Sequence, residues 1–139
     1  MEIKFNGVDR LYKEFWYRLT RRAMETWKTG RVVQGEYLQK FETKIAKQAF
    51  RKFGVGVGSA TDGLYFAMKS LGLDHNSTIA CPVYSYIATS GAIKRLGAKI
   101  KFIDVDTQGN MGPIDPKIQV DAVLYTNLFG NVADYPRLR

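Results

Sequence analysis

Apolar residues recur at helical spacing through the first third of the chain. A first stripe, at intervals of three and four residues, predicts an amphipathic helix that Gly30 ends, and a second stripe predicts another helix from about Glu36. The first stripe consists of Val8, Leu11, Phe15, Leu19, Ala23 and Trp27, and the second of Tyr37, Leu38, Phe41, Ile45, Ala49 and Phe50. In the second helix, Glu36 and Lys40 are spaced for an ion pair one turn apart.

The hydrophobic pattern changes its period at about Lys52, where short β-branched runs begin to alternate with helical segments. The predicted elements are strands over residues 54–58, 78–82, 100–105 and 122–126, and helices over residues 64–71 and 86–96. Because strand and helix take turns, the sequence predicts βαβ crossovers and a mostly parallel sheet, an α/β fold. We expect one domain over residues 1–139, with basic helices over 1–52 and βα units over 53–139.

Composition excludes several classes of protein. Of the 139 residues, 45% are hydrophobic and 24% are charged, as is typical of folded globular proteins. The longest uncharged run, residues 76–93, holds too many polar and helix-breaking residues for a membrane span, and the first residues do not resemble a secretory signal. We therefore expect a cytoplasmic protein. With one cysteine, Cys81, and one histidine, His75, a single chain cannot build an internal disulfide or a Cys/His zinc site.

The net charge of +8 is concentrated in the first third of the chain. Residues 1–52 contain 13 of the 21 Lys and Arg residues but only 6 of the 13 Asp and Glu residues. This excess leaves a basic nucleic-acid-binding protein, or a structural or interaction protein, as an alternative. The nearby aromatic residues lie largely on the apolar stripe, however, and basic helix faces are commonly just solvated. Steep salt dependence of binding to unrelated DNA would favour the alternative.

The acidic segment at the end of the predicted strand 100–105 approaches a calcium-binding loop. Asp104 and Asp106 are spaced as its first two ligands, and Asp115 stands at its twelfth position. Gln108 is wrong at the fifth position, Asp115 replaces the usual Glu, and a strand rather than a helix comes before the loop. The two acids are more simply residues at the end of a parallel strand, where ligand sites of α/β proteins open, and no metal site is predicted.

The most informative segment is residues 54–64, Gly-Val-Gly-Val-Gly-Ser-Ala-Thr-Asp-Gly-Leu, where a predicted strand runs directly into a helix. Such a junction directs several backbone N–H groups and the positive end of a helix dipole at one place, which suits a phosphate group. The pattern G-x-G-x-x-G is broken at Ser59 and at Thr61, and a P-loop would need Lys where Leu64 stands. An ordinary N-cap with glycines for close packing is the alternative.

Five sequence blocks, in order, resemble the sugar aminotransferases of the DegT type, which are pyridoxal-phosphate (PLP) enzymes of fold type I. The blocks are TGRVVQG at 29–35 with Phe41-Glu42, SATDGL at 59–64, PVYSYIAT at 82–89, GAKIKFIDVD at 97–106, and NLFG at 127–130 with Asp134. The resemblance implies an incomplete fold-type-I large domain, a mostly parallel sheet with flanking helices. It also implies the N-terminal part of an enzyme that moves an amino group, usually from glutamate, onto a keto-sugar nucleotide.

The same resemblance implies which residues bind the cofactor. It places the PLP phosphate on the backbone amides of Ala60 and Thr61, with the Thr61 hydroxyl assisting, and Tyr86 against the pyridine ring. A core position is the alternative for the Tyr86 ring. Three positions depart from the family pattern, since Ala60 replaces the usual Gly, Gly63 the usual Ala and Asn127 the usual His.

The resemblance further implies that the chain does not transaminate alone. In the family, the lysine that binds PLP covalently and the aspartate that pairs with the pyridine nitrogen follow the block at 127–130. Lys69, Lys94 and Lys99 match neither position, and no catalytic residue is predicted. Strands from later in the fold-type-I chain also separate the first strand from the next three, so the strand predicted over 54–58 would lack a neighbour. We therefore expect rearranged pairing or self-association, with a second copy or a missing C-terminal portion as partner.

Overall fold

The computed structural model describes residues 6–132, and the chain divides into two compact units after Gly56. The first unit contains two helices, α1 (Val8–Thr29) and α2 (Glu36–Gln48), in the positions that the apolar stripes predict. Gly30 follows α1 in the left-handed conformation, with φ +67°, which a residue without a side chain adopts at little steric cost. The predicted ion pair between Glu36 and Lys40 forms on α2.

Polar contacts join α1 to α2 within the first unit. The Tyr37 hydroxyl of α2 donates a hydrogen bond of 2.7 Å to the Glu25 carboxylate of α1, and Arg22 donates one of 3.0 Å to the Tyr37 oxygen. Among the described residues of this unit, only Ala46 is buried, and the side chain of Trp27 is 68% exposed. The unit therefore presents apolar surface that its own two helices do not cover.

The second unit is built on a three-stranded parallel sheet with the strand order β2-β1-β3. The strands are β1 (Thr78–Pro82), β2 (Lys99–Ile103) and β3 (Ala122–Val123). Helix α3 (Ala60–Ser70) packs against helix α4 (Ile87–Leu96), which in turn contacts β1 and β2 and connects them. A short 3-10 helix, Leu128–Gly130, follows the last strand. These elements confirm the predicted α/β fold with a parallel sheet and flanking helices.

The core of the second unit follows the alternation of side chains along β1. Ile79 and Cys81 pack with α3 and α4 in one cluster of buried residues, while Ala80 belongs to a second cluster that includes Ile103 and Met111. Successive side chains of a strand point to opposite faces, so β1, which is buried from its second residue onward, supplies both clusters. This burial explains why the segment reads as a continuous apolar run rather than as an alternating one.

The strand predicted over residues 54–58 is wrong, because no strand forms there and the segment pairs with none of the described strands. The Gly56 amide instead donates a hydrogen bond of 2.7 Å to the side chain of Glu42, and a side chain at Gly56 would come within 2.5 Å of Leu38. Close approach to α2 therefore explains this glycine. Within residues 6–132, the strands pair in the order β2-β1-β3 and residues 54–58 take no part, so the expected rearranged pairing is not observed there. Self-association stays a prediction.

Two other strands are shorter than predicted. Strand β2 ends at Ile103 rather than at residue 105, and β3 is confined to two residues. Val105 forms instead an isolated antiparallel bridge with Met111. Within residues 6–132, no helix is both long enough and apolar enough to span a lipid bilayer.

Candidate cofactor-binding site

Helix α3 begins at a well-formed N-cap. The extended residue Ser59 accepts a hydrogen bond of 3.1 Å at its hydroxyl from the amide of Asp62, and its carbonyl accepts one of 3.0 Å from the amide of Gly63. The Ser59 hydroxyl donates in turn to the Asp62 carboxylate, at 2.9 Å. The Ser59 hydroxyl therefore caps the helix by accepting from the Asp62 amide, while its own proton is directed to the Asp62 carboxylate.

The amides of Ala60 and Thr61 are the first two of α3, and no acceptor within residues 6–132 is hydrogen-bonded to either. Ala60 is exposed and Thr61 is partly buried, so the amides lie where a ligand can reach them. Helix starts combine such unsatisfied donors with the positive end of the helix dipole. The predicted pair of residues therefore fits a phosphate group, and Ala60 is exposed rather than part of the core.

A carboxylate and a guanidinium stand beside this helix start. Arg95 of α4 donates a hydrogen bond of 2.6 Å from its guanidinium to the Asp62 carboxylate, and the same guanidinium lies 4.4 Å from the ring centroid of Tyr65. The Arg95 hydrogen bond, and then that of Ser59, hold the pKa of Asp62 below its usual value. No local sequence pattern indicates Arg95, because its partners on α3 are distant in sequence.

Tyr86 occupies the N-cap position of α4, just beyond the carboxyl end of β1. Its side chain is 73% exposed, which argues against the alternative of a core aromatic residue. The fold brings Ala60 and Thr61 together on one turn of α3, whereas Tyr86 lies on a different helix and no hydrogen bond within residues 6–132 joins it to them. The exposed ring leaves a flat face available for stacking.

Three hydroxyl groups meet next to Tyr86. Ser85 lies 2.8 Å from the Thr89 hydroxyl and 3.1 Å from the Thr126 hydroxyl, and these two threonines are 3.4 Å apart. The cluster sits beyond the carboxyl ends of β1 and β3, at the edge where ligand sites of parallel sheets open. Ser85 and Thr89 belong to the sequence block at 82–89, but that block by itself does not predict the cluster. The signal that was present is a hydroxyl residue shortly after each of two neighbouring strands.

The acidic segment after β2 does not build a calcium site. The Asp106 carboxylate accepts hydrogen bonds of 2.9 Å from the amides of Gln108 and Asn110, and the Asp115 carboxylate accepts one from the amide of Lys117. These carboxylates close backbone turns. Among the described residues, no group of three His, Cys, Asp or Glu side chains is placed to hold a metal ion.

The last sequence block contains Asn127 and Asp134, of which the structure describes the first. Asn127 is exposed and precedes the 3-10 helix, where its backbone carbonyl accepts a hydrogen bond of 3.2 Å from the amide of Gly130. Asp134 lies outside the described residues.

Comparison with known proteins places these features in a family. The model of the DegT/DnrJ/EryC1/StrS aminotransferase family matches residues 17–139. GDP-perosamine synthase of Escherichia coli O157:H7 is 31% identical over 118 residues, which are 81% of this chain and 32% of that protein. The crystal structure of S. venezuelae DesV is 26% identical with a TM-score of 0.87, covering 99% of this chain and 38% of DesV. Bacillus subtilis NtdA, solved with bound cofactor PMP, has a TM-score of 0.88 at 24% identity, covering 99% of this chain and 33% of NtdA.

The chain thus spans about a third of the length of these proteins and aligns with their N-terminal part. PLP as the family cofactor is confirmed, since solved neighbours hold PLP or its amino form, PMP. No comparison supports the nucleic-acid-binding alternative. On the match over residues 17–139, the chain belongs to the DegT/DnrJ/EryC1/StrS aminotransferase family.

Proposed function

We propose that this chain provides the phosphate-binding part of the cofactor site of a PLP-dependent nucleotide-sugar aminotransferase. The amides of Ala60 and Thr61 bind the cofactor phosphate, the Thr61 hydroxyl assists, and the ring of Tyr86 covers one face of the pyridine ring. The observation that carries the proposal is the start of α3, where two neighbouring amides lack a protein acceptor within residues 6–132. The chain's family uses a cofactor that ends in a phosphate group.

Each residue has a defined physical task in this proposal. When bound, PLP supplies an electron sink for the transfer of the amino group. The two amides and the dipole of α3 hold the phosphate dianion without the need for a mobile side chain. The flat ring of Tyr86 limits the tilt of the cofactor and shields one of its faces from water.

The whole reaction is proposed for the intact enzyme rather than for these 139 residues. The lysine and the aspartate that the reaction requires have no counterpart among the matched blocks of this chain. We therefore propose that the chain binds PLP without turning over substrate, and that the intact enzyme aminates a keto-sugar nucleotide in the cytoplasm. We also propose that the protein works as an oligomer, which the exposed apolar stripe of α1 supports.

The test is an NMR titration of the ¹⁵N- and ¹³C-labelled chain with PLP and, separately, with inorganic phosphate. We expect both ligands to shift the amide resonances of Ala60 and Thr61, and PLP alone to shift the ring resonances of Tyr86. Borohydride treatment of the PLP-loaded chain should label no single lysine. Specific labelling of one lysine, or shifts confined to other amides, would contradict the proposal.

Substitution at Ala60 tests the amide itself. Ala60→Pro removes one N–H donor at the first position of a helix, where proline is well tolerated, and the extended conformation of Ser59 suits a residue that precedes proline. Losing one hydrogen bond to a charged group should weaken phosphate binding by about tenfold. Ala60→Gly keeps the amide and is the matched control, so it should bind at least as tightly as the unsubstituted chain. Equal phosphate binding by both variants would refute the proposal that the Ala60 amide binds the phosphate.

A further inference from the structure

The start of α3 contains a charge conflict if it binds a phosphate group. The carboxylate of Asp62 belongs to the same first turn as the amides of Ala60 and Thr61. A phosphate monoester carries nearly two negative charges at neutral pH. Because both anions compete for the positive end of one helix dipole, an unpaired Asp62 would oppose phosphate binding.

The structure places a cation on that carboxylate from a different helix. Asp62 uses its two oxygens separately, since one accepts from the Ser59 hydroxyl at 2.9 Å and the other from Arg95 at 2.6 Å. The guanidinium also lies over the face of Tyr65, at 4.4 Å from the ring centroid. Two residues of α3 therefore hold Arg95 in place, so that its charge stays next to the carboxylate.

We propose that Arg95 is a positioning residue that keeps the start of α3 receptive to phosphate by neutralising Asp62. This inference rests on the proposed function of Ala60 and Thr61. Asp62 still stabilises the start of α3, because its carboxylate fixes the Ser59 cap. Arg95 offsets the negative charge of that carboxylate, which would otherwise repel the phosphate. The role differs from direct binding of the ligand, since Arg95 acts on the phosphate through Asp62.

A double-mutant cycle distinguishes neutralisation of Asp62 from direct contact with the phosphate and from a purely structural role. The variants are Arg95→Gln, Asp62→Asn and the two combined, with Lys94→Gln as a control that removes an equal charge from the neighbouring position of α4. The dissociation constants of inorganic phosphate and of PLP are measured at low ionic strength from the shifts of the Ala60 and Thr61 amides. The pKa of Asp62 is followed by ¹³C NMR in the unsubstituted chain and in Arg95→Gln.

Neutralisation predicts a specific pattern. Arg95→Gln should weaken binding by about fivefold, the size expected for one unit charge acting through water on a dianion. It should also raise the pKa of Asp62. Asp62→Asn leaves the positive charge of Arg95 without its counter-ion and should bind at least as tightly as the unsubstituted chain, whereas the double variant, which removes both charges, should match the unsubstituted chain. Lys94→Gln should change binding by less than about twofold, because that charge lies in solvent.

The other outcomes overturn the inference in distinguishable ways. A double variant that binds as weakly as Arg95→Gln means that Arg95 contacts the phosphate or merely holds α3 against α4. Binding by Arg95→Gln equal to that of the unsubstituted chain refutes the neutralising role while leaving the site at Ala60 and Thr61 intact. If the unsubstituted chain binds neither ligand at those amides, the proposed function fails and the role of Arg95 fails with it. Arg95→Lys keeps the charge and should stay within about twofold of the unsubstituted chain, even if the glutamine variant folds poorly.

Discussion

Thr78 and Asp121 exchange two hydrogen bonds across 43 positions of sequence: the Thr78 amide donates to the Asp121 carboxylate at 2.7 Å, and the Asp121 amide donates to the Thr78 carbonyl at 2.8 Å. The pair stands immediately before the point where β1 and β3 come into register, with Ile79 opposite Ala122. Strand β3 is only two residues long, so its backbone ladder is short. The side chain of Asp121 therefore adds a hydrogen bond to the few backbone bonds that hold β3 to the sheet.

Asp121→Ala should lower the free energy of unfolding by about 1–2 kcal/mol, because the Thr78 amide loses its acceptor at the start of β1. Urea unfolding followed by circular dichroism measures the loss. Asp121→Asn retains a side-chain oxygen and is the matched control, for which a smaller loss is expected. Equal stability of the alanine variant and the unsubstituted chain would show that the pair does not stabilise β3.

Glu25 should titrate far below an ordinary glutamate. Hydrogen bonds from Tyr37, Arg21 and Arg22 lower the pKa of Glu25 from 4.5 to about 2. Because the pKa of Glu25 is lower in the folded state than in the unfolded state, the ionised carboxylate stabilises the fold. This contribution is complete above about pH 4.5 and is lost as the pH falls toward about 2. A ¹³C NMR titration of the Glu25 carboxyl checks the value.

Tyr37→Phe should raise the pKa of Glu25, because the Tyr37 hydroxyl is the strongest of its stabilising contacts. The same change should reduce the difference in unfolding free energy between neutral and acidic solution. Tyr12→Phe removes a hydroxyl from an exposed position of α1 and should leave the titration unchanged. Coincident titration curves for Tyr37→Phe and the unsubstituted chain would rule out the contact between α1 and α2 in solution.

The hydroxyl cluster should depend most on Ser85, which makes both of its shorter contacts. Ser85→Ala leaves the Thr89 and Thr126 oxygens 3.4 Å apart with only a weak bond, and should lower the free energy of unfolding by about 1–2 kcal/mol. Thr89→Val keeps the shape of the buried side chain and leaves the contact between Ser85 and Thr126, so its cost should be smaller. Ser90→Ala, which removes a partly buried hydroxyl of α4 that makes a long contact of 3.5 Å with the Ile87 carbonyl, should stay within about 0.5 kcal/mol. Thermal denaturation ranks the variants, and a reversed order of Ser85→Ala and Thr89→Val would contradict the geometry.

Cys81 should behave as a core residue rather than as a reactive thiol. It lies on β1 with no exposed surface, and burial raises the pKa of the Cys81 thiol. A thiol reagent such as DTNB should therefore react only as fast as the chain unfolds. Cys81→Ser should cost about 1–3 kcal/mol, because it buries a hydroxyl in an apolar cluster. Cys81→Ala should cost less, and rapid labelling in native buffer would show that β1 opens locally.

Local sequence was sufficient to predict where most helices lie. Gly30 and Gly97 both adopt the left-handed conformation and end α1 and α4 at the predicted residues. Ser59, named in the predicted phosphate turn, caps α3 by accepting from an amide three residues ahead. Each of these features depends on contacts within one turn of helix, so the nearest residues determine them.

Strand predictions were less reliable, because a strand requires a neighbour that the local pattern does not reveal. Residues 54–58 alternate as a strand should, yet no strand pairs with them among the described residues, and Gly56 bonds to a side chain instead. Strand β3 is shorter than its apolar run for a related reason, since within residues 6–132 its ladder joins just two residues of β1. Pairing partners, rather than hydrophobic alternation, set the length of these strands.

By itself the sequence determined the helices, the parallel α/β order and the turn at residues 59–61 that suits a phosphate, because helix periodicity, capping and glycine conformation act over a few neighbouring residues. Only the tertiary structure decided that Arg95 lies on Asp62, 33 residues away, and that Ser85 meets Thr126, 41 residues away. Those contacts arise from the packing of α3 on α4 and from the register of β1 with β3. Distances between side chains on separate elements depend on how the whole unit packs, and no local pattern specifies that packing.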